Sequence, residues 1–294
     1  EKWVRVLSRI KTARHRVATW RLIDNFFDQN IKQPGSGAEE IILVDGLWDN
    51  PNHYFRSHLL ILSLARSKNY RLIGLLKNPK DRARHSLSAM GCSEYVFIDD
   101  FPINNTDEFS AELLLKKIKT HNDILRLKLP QGLPANIFYD TVLKVARSPR
   151  PDLGSSIWKQ ELADVFRLSR FYADVFTKIK VKHLILSHPW KNEFGVALWQ
   201  GLLKNINCFY VTGNYEAMRV RRFTSTADFF SPSENIQYPE FCALERPLRK
   251  KLTLAGDRYL SQRAKGRNSD INESLAYKGK QTAQDLYRNL HITN

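Results

Sequence analysis

Short apolar runs separated by amphipathic stretches dominate the middle of this chain. Residues 41–45 (IILVD), 70–76, 94–98 (EYVFI), 183–187 (HLILS) and 208–212 (CFYVT) are near-continuously apolar, as parallel strands covered on both faces are. Between them, residues 54–67, 81–90 and 194–204 carry helical periodicity, with Gly91 as the stop of the second. Strand, helix, strand, helix, strand within about 60 residues is the signature of a doubly wound α/β sheet with right-handed crossovers. The stretch between strands three and four reads as helical, over residues 108–119, 137–147 and 155–178. In the last of these Trp158, Leu162, Val165, Tyr172, Phe176 and Ile179 mark one buried stripe, and Ser148-Pro149-Arg150-Pro151 separates it from its predecessor.

The expected fold is therefore a Rossmann-like α/β domain over residues 38–238. It has a parallel sheet of about five strands, helices on both faces, and a helical excursion between strands three and four. Residues 239–294 form a basic tail or linker, helical over 240–266. Residues 1–33 read as a basic amphipathic helix: Trp3, Val6, Leu7, Ile10, Ala13, Val17 and Trp20 share an arc, although Arg14 and Arg21 intrude, and Pro34-Gly35-Ser36-Gly37 ends it. Such a helix either lies on an anionic membrane surface or packs on its own domain.

Composition adds one strong signal. At 294 residues, with 43% hydrophobic and 11% aromatic content, the chain has ample core and is no disordered tail. The apolar run at 59–65 falls far short of a membrane span. Cys92, Cys208 and Cys242 lie far apart, which argues against a disulfide framework or zinc site and for a reducing, cytoplasmic compartment. Glu1-Lys2-Trp3 opens no secretory signal, and the chain reads as a segment of a longer one. The outlier is a net charge of +16, which calls for nucleic acid, anionic lipid or phosphorylated ligands. It is spread along the sequence rather than massed in one block.

Ligands of open parallel sheets bind beyond the carboxyl ends of the strands. Three turns leave such ends here. The first runs Asp45-Gly46-Leu47-Trp48-Asp49-Asn50-Pro51-Asn52-His53. The second is His188-Pro189-Trp190-Lys191-Asn192-Glu193, with Gly195 just inside the following helix. The third is Thr212-Gly213-Asn214, continuing into Arg219, Arg221 and Arg222. The first two feed helix N-termini, whose free N–H groups favour an anion. Asp45 suits either base chemistry or turn stabilisation, and His188 either proton abstraction from a hydroxyl or a hydrogen bond to loop backbone. Glu193 either acts chemically or favours the helix dipole; His53 is a catalytic or a solvated loop residue. The arginines suit phosphate, or form a solvated face. Trp48 and Trp190 either stack on a sugar or base, or serve as walls. Asp99-Asp100 suits a cation or a solvated turn. No GxGxxG after a strand, no GxxxxGK[ST], no HExxH and no Ser-His-Asp order occurs, which counts against a dinucleotide oxidoreductase and a P-loop NTPase.

The runs ILVDGLWDNPNHYFRSHLLILSLA, LILSHPWKNEFGVALWQGLLKNINCFYVTGNYEAMRVRRF and LTLAGDRYLSQRAKGRNSDINESLAYKG resemble the amino-terminal half of bacterial GT-B-type glycosyltransferases, which build capsules, lipopolysaccharide O-antigens and related surface polysaccharides. The resemblance covers most of residues 41–280. It implies an acceptor-side domain facing a second, nucleotide-sugar-binding Rossmann-like domain, absent here, across a cleft. Asp45, His188 and Glu193 are then the catalytic candidates. Gly46, Trp48, Asn52, His53, Trp190, Asn192, Gly213 and Asn214 line the substrate, and Arg219, Arg221 and Arg222 approach the anionic donor or acceptor. The partners implied are a nucleotide-sugar co-substrate and a glycan or lipid-linked acceptor, at the inner face of the plasma membrane, with no metal or other cofactor. The alternatives are a basic α/β nucleic-acid-binding protein, for which no RRM, KH, helix-turn-helix or zinc-finger signature is present, and a non-catalytic scaffold.

Overall fold

A computed structural model describes residues 40–48, 50–64, 69–148, 150–213, 218–230 and 238–264. The expected helix at residues 1–33, Asp49, Asn214 and the tail beyond 264 lie outside the described residues. The chain divides into two compact units, residues 1–213 with 217–231, and residues 214–216 with 232–294.

The first unit is α/β and is built on one sheet. Its strands are β1 (Glu40–Asp45), β2 (Tyr70–Leu76), β3 (Glu94–Phe97), β4 (Val181–Leu186), β5 (Asn207–Gly213) and β6 (Met218–Phe223), in the spatial order β3-β2-β1-β4-β5-β6. The five strands expected from the apolar runs are present and mutually parallel. The count is corrected to six, because Arg219, Arg221 and Arg222 belong to an antiparallel edge strand and do not continue a turn. Their charge hides the alternation of MRVRRF. Phe223 is buried opposite Cys208, and the Arg221 guanidinium lies over the Phe223 ring at 4.5 Å. An edge strand tolerates arginines that a central strand would not.

Among its described residues the unit also has helices α1 (Pro51–Leu64), α2 (Ala83–Ala89), α3 (Asn105–Leu115), α4 (His121–Ile124), α5 (Ala135–Ala146), α6 (Ser156–Lys178), α7 (Asn192–Leu203) and α8 (Thr226–Phe230). Successive strand side chains face opposite ways, so β1 feeds two cores. Ile41 and Leu43 join Ile73 and Leu75 of β2 against residues of α5, α6 and α7, including Phe138, Trp158, Tyr172 and Val196. Ile42 and Val44 join Leu72 and Leu76 against α1 and α2, through Tyr54, Ile61 and Leu87. The excursion between β3 and β4 is helical as its pattern indicates. Trp158, Leu162, Val165, Tyr172 and Phe176 are all buried, and the Ser155 side chain caps α6 by accepting from the Ile157 N–H. Gly91 ends α2 at φ 96°, with its N–H on Ser88 O and the Cys92 N–H on Leu87 O, the paired bonds of a Schellman terminus.

The second unit shows α9 (Tyr238–Ala243) and α10 (Arg246–Ala264). The single helix expected over 240–266 is broken at Leu244-Glu245, and Pro247 falls in the first turn of α10, where its missing N–H costs no helical bond. Among the described residues, no helix is long and apolar enough to cross a membrane.

Candidate functional site

Chain direction through the sheet defines where a site can form. From β1 the order runs through β2 to β3 on one side and through β4 to β5 on the other, so the topological switch lies between the carboxyl ends of β1 and β4. There the flanking connections leave in opposite directions and the sheet rim opens. Asp45 ends β1, and Ser187 and His188 follow β4, so the first two turns meet at this switch. Gly213 ends β5 on the same rim, two strands and about 10 Å away from β1.

Asp45 is the tie across the switch. It is 0% exposed, and its two carboxylate oxygens are committed to backbone donors: Oδ1 accepts from the Leu47 N–H at 3.0 Å, and Oδ2 accepts from the Ser187 N–H. It therefore holds the two turns in register, a positioning role. His53, in the first turn of α1, is buried beneath it. Its Nε2–H donates to the Asp45 carbonyl at 3.2 Å and lies 3.7 Å from Asp45 Oδ2; the Ser57 hydroxyl stands 3.4 Å from Nδ1. Burial holds the His53 pKa below its ordinary value, although Asp45 opposes the shift. Ser57 is fully buried, so this Asp–His–Ser chain anchors α1 to the rim and presents no nucleophile.

His188 is the half-buried group of the switch. Its ring packs edge-on against Trp48 (centroids 4.4 Å apart) and at a tilt against Phe194 at 5.2 Å, and its Nδ1 is 3.3 Å from Ser187 Oγ. Desolvation takes its pKa down to about 4; Asp45 opposes this, while Lys191, His53 and Lys144 reinforce it. The imidazole is thus neutral at physiological pH, the form that accepts a proton. Trp48 beside it is 40% exposed, its carbonyl pinned by the buried Tyr54 hydroxyl at 3.2 Å.

The remaining candidates separate by location. Gly46 is required by packing: a Cβ there would stand 2.7 Å from Leu76 Cδ2 and 2.8 Å from Leu87 Cδ1. Asn52 lies in the first turn of α1. Trp190 is exposed on one side and packs edge-on against Phe229 of α8. Of the arginines, Arg219 pairs with Thr212 at the rim, whereas Arg222 sits back beside Phe209 with its guanidinium on Asn207 Oδ1 at 2.6 Å. Arg221 donates to the Asp228 carbonyl at 2.7 Å. The trio does not converge, and Arg219 alone is at the rim.

Lys191 precedes α7 at φ 71° and ψ 159°, a region that favours glycine and costs a side chain about 1–3 kcal/mol. The first N–H of α7, from Asn192, is taken by Thr141 Oγ1 at 2.8 Å. Asn192 is buried and turned away from the rim, its Nδ2 donating to the Glu161 carbonyl at 2.9 Å and to Glu161 Oε2 at 3.2 Å. Glu193 lies with it: its carbonyl accepts from Tyr172 OH at 2.7 Å, and its buried Oε2 has no hydrogen-bond partner among the described residues. Glu161, Asp164 and Glu193 thus form a carboxylate group behind α7.

Burial, with the charges of Asp164 and Glu193, raises the Glu161 pKa from an ordinary 4.5 to about 7. Because the folded-state value lies above the unfolded one, the stability that Glu161 contributes is complete below pH 4.5 and is lost as pH rises through 7. Glu161→Gln should match the parent near pH 4.5. It should exceed it at pH 8 by about 1–2 kcal/mol after allowance for partial exposure, or about 3–6 °C in Tm. Melting curves across that range check this, and a gap that does not widen with pH refutes it.

Ser187, Ser57 and Glu161 are the site's contributors that sequence reasoning missed; the sequence reading places Lys191 in the second turn without a role. Ser187 had a signal, standing at a strand end beside His188. Glu161 had none, since only tertiary packing brings α6 to the start of α7. Among the described residues, no group of three or more His, Cys, Asp or Glu is arranged to hold a metal ion. Comparison of the chain with protein-family models, curated proteins and solved structures finds no match.

Proposed function

We propose that this chain is the Rossmann-like, acceptor-side domain of a GT-B-type glycosyltransferase, passing a sugar from a nucleotide-sugar to a growing surface glycan or lipid-linked acceptor in the cytoplasm. The observation that carries this reading is His188: a neutral imidazole at the β1/β4 switch, half-buried, with the partly exposed Trp48 beside it. Aromatic faces suit the apolar faces of sugar rings, and a neutral imidazole suits removal of a hydroxyl proton.

In the proposed step the acceptor hydroxyl gives its proton to His188 Nε2, since Nδ1 faces Ser187. The freed oxygen forms its bond to the anomeric carbon as the bond to the phosphate oxygen breaks. The electron pair leaves with the nucleoside diphosphate, whose charge Lys191 and Arg219 offset. Asp45 positions the two turns, and Glu193 supports them from behind. The step calls on a second domain for the donor and on no cofactor beyond the nucleotide-sugar.

The test uses the full natural polypeptide with a panel of nucleoside-diphosphate sugars, with and without lipid-linked saccharide acceptors. Release of nucleoside diphosphate that depends on the acceptor supports the reading. Absence of release across the panel overturns it, as does tight binding of generic RNA or DNA that saccharides do not displace.

A further inference from the structure

We propose that α3 is the contact face of a homodimer, in which two copies of this chain pack α3 against α3 in antiparallel sense. The core side of this helix is already filled: Asp107 and Ala111 are buried, and Leu114 and Leu115 pack against the core. Phe109 and Leu113 stand elsewhere. At about 100° per residue they lie about 40° apart, and each about 160° from Ala111. Phe109 is 61% and Leu113 45% exposed, an i, i+4 pair left in water. The helix presents them rigidly. Asn104 and Asp107 form a capping box, each side chain accepting from the other's N–H, at 2.9 and 3.0 Å. From α6, Arg170 Nε donates to Asp107 Oδ1 at 2.9 Å and Lys159 Nζ to Glu112 Oε1 at 2.6 Å.

Charge along this segment identifies the occupant. Asp107 and Glu112 are paired with α6, but Asp99, Asp100 and Glu108 are exposed and make no ion pair among the described residues, and they come first. The exposed Lys116, Lys117 and Lys119, equally without one, come last. An anionic partner would meet the acids, and a basic one the lysines. A second copy turned end for end sets each end against its opposite, with the two helix dipoles antiparallel. When Phe109 meets the second copy's Leu113, Glu108 comes within about 3 Å along the axis of the second copy's Lys116, and the two share one side of the stripe. Twofold symmetry makes each contact twice. A single helix face falls short of the roughly 1,200 Å² of a standard interface, so dissociation is expected in the micromolar range. This inference goes beyond glycosyl transfer and does not depend on it, because its readout involves no turnover.

The test is sedimentation equilibrium of the whole chain from about 5 to about 500 µM, a span that brackets such a constant. The parent should pass from monomer to dimer. Phe109→Ser should weaken association at least about tenfold. Glu108→Lys and Lys116→Glu should each weaken it about tenfold, since each places two like-charge contacts in the dimer. An equimolar mixture of those two variants should recover the parent's association, because in the mixed pair both contacts regain opposite signs. These side chains are exposed, so melting temperatures should stay within a few degrees of the parent's. A parent that remains monomeric across the range overturns the proposal. So does association indifferent to Phe109→Ser, or a mixture that associates no more tightly than its two components.

Discussion

Replacing His188 by glutamine is expected to lower the rate of glycosyl transfer by about 10²–10⁴-fold, the range for loss of a general base. Binding of the nucleotide-sugar should change little, because the imidazole addresses the acceptor hydroxyl; the loss falls on kcat. Stability should hold to within a few degrees, since His188 is half-buried and its Nδ1 makes only a 3.3 Å approach to Ser187 Oγ that glutamine can replace. Asp45→Ala gives the contrasting result. It strips the acceptor from the Leu47 and Ser187 N–H groups, at a cost of about 2–4 kcal/mol and roughly 5–12 °C in Tm. Activity would then fall through loss of structure. The pH profile separates base chemistry from a merely structural histidine. With a pKa of about 4, His188 is fully neutral above pH 5, so the rate should be flat there and decline as pH falls through 4. Full activity in the glutamine variant would remove His188 from the chemistry, and a profile falling from pH 7 would remove it as the titrating group.

The parts of this molecule that were readable in the sequence are those fixed by local pattern. IILVD and CFYVT have to be buried on both faces, so a parallel sheet follows, and Asp45 and His188 fall at strand ends by position alone. The stripe on α6 and the Gly91 terminus are equally local. The missing pieces depend on contacts distant in sequence. Asp45 meets the Ser187 N–H across 142 positions, and no motif marks that bond. The carboxylates of α6 reach the start of α7 only because Asn192 turns inward. Strand β6 escaped notice because three arginines interrupt its alternation, and once it pairs antiparallel to β5 it carries Arg222 away from the rim. Turn chemistry read along the chain therefore found the switch but overestimated how many charged groups converge on it.

Acidification should destabilise the first unit well before its surface carboxylates titrate. His188 and His58 have pKa values lowered from 6.5 to about 4 by burial, and His53 is lowered for the same reason. A histidine whose folded value lies below its unfolded one contributes stability that is complete above pH 6.5. That contribution is lost as pH falls toward 4, because the unfolded chain takes up the proton first. Two such groups, discounted by about half for residual solvent contact, give roughly 3–4 kcal/mol over that window, with His53 adding to it. Glu161 opposes the trend by regaining about 1–2 kcal/mol as pH falls from 7 to 4.5, and Asp164, also raised by burial, acts in the same direction. The histidines outnumber and outweigh that return. The net expectation is a fall of about 1–3 kcal/mol, or roughly 2–10 °C in Tm, between pH 7 and pH 4.5. His58→Gln isolates one contributor: whatever its stability at pH 7, its dependence on pH between 6.5 and 4.5 should be shallower by up to one proton's worth, about 1.4 kcal/mol per pH unit. Glu161→Gln should steepen the parent's acid loss, because it removes the opposing group. Calorimetric melts of the three proteins at matched ionic strength decide the matter. A parent Tm that stays level or rises from pH 7 to 4.5 would mean that the buried histidines bind protons in the folded state as readily as in the unfolded one, and the flat rate expected of His188 between pH 5 and pH 7 would go with them.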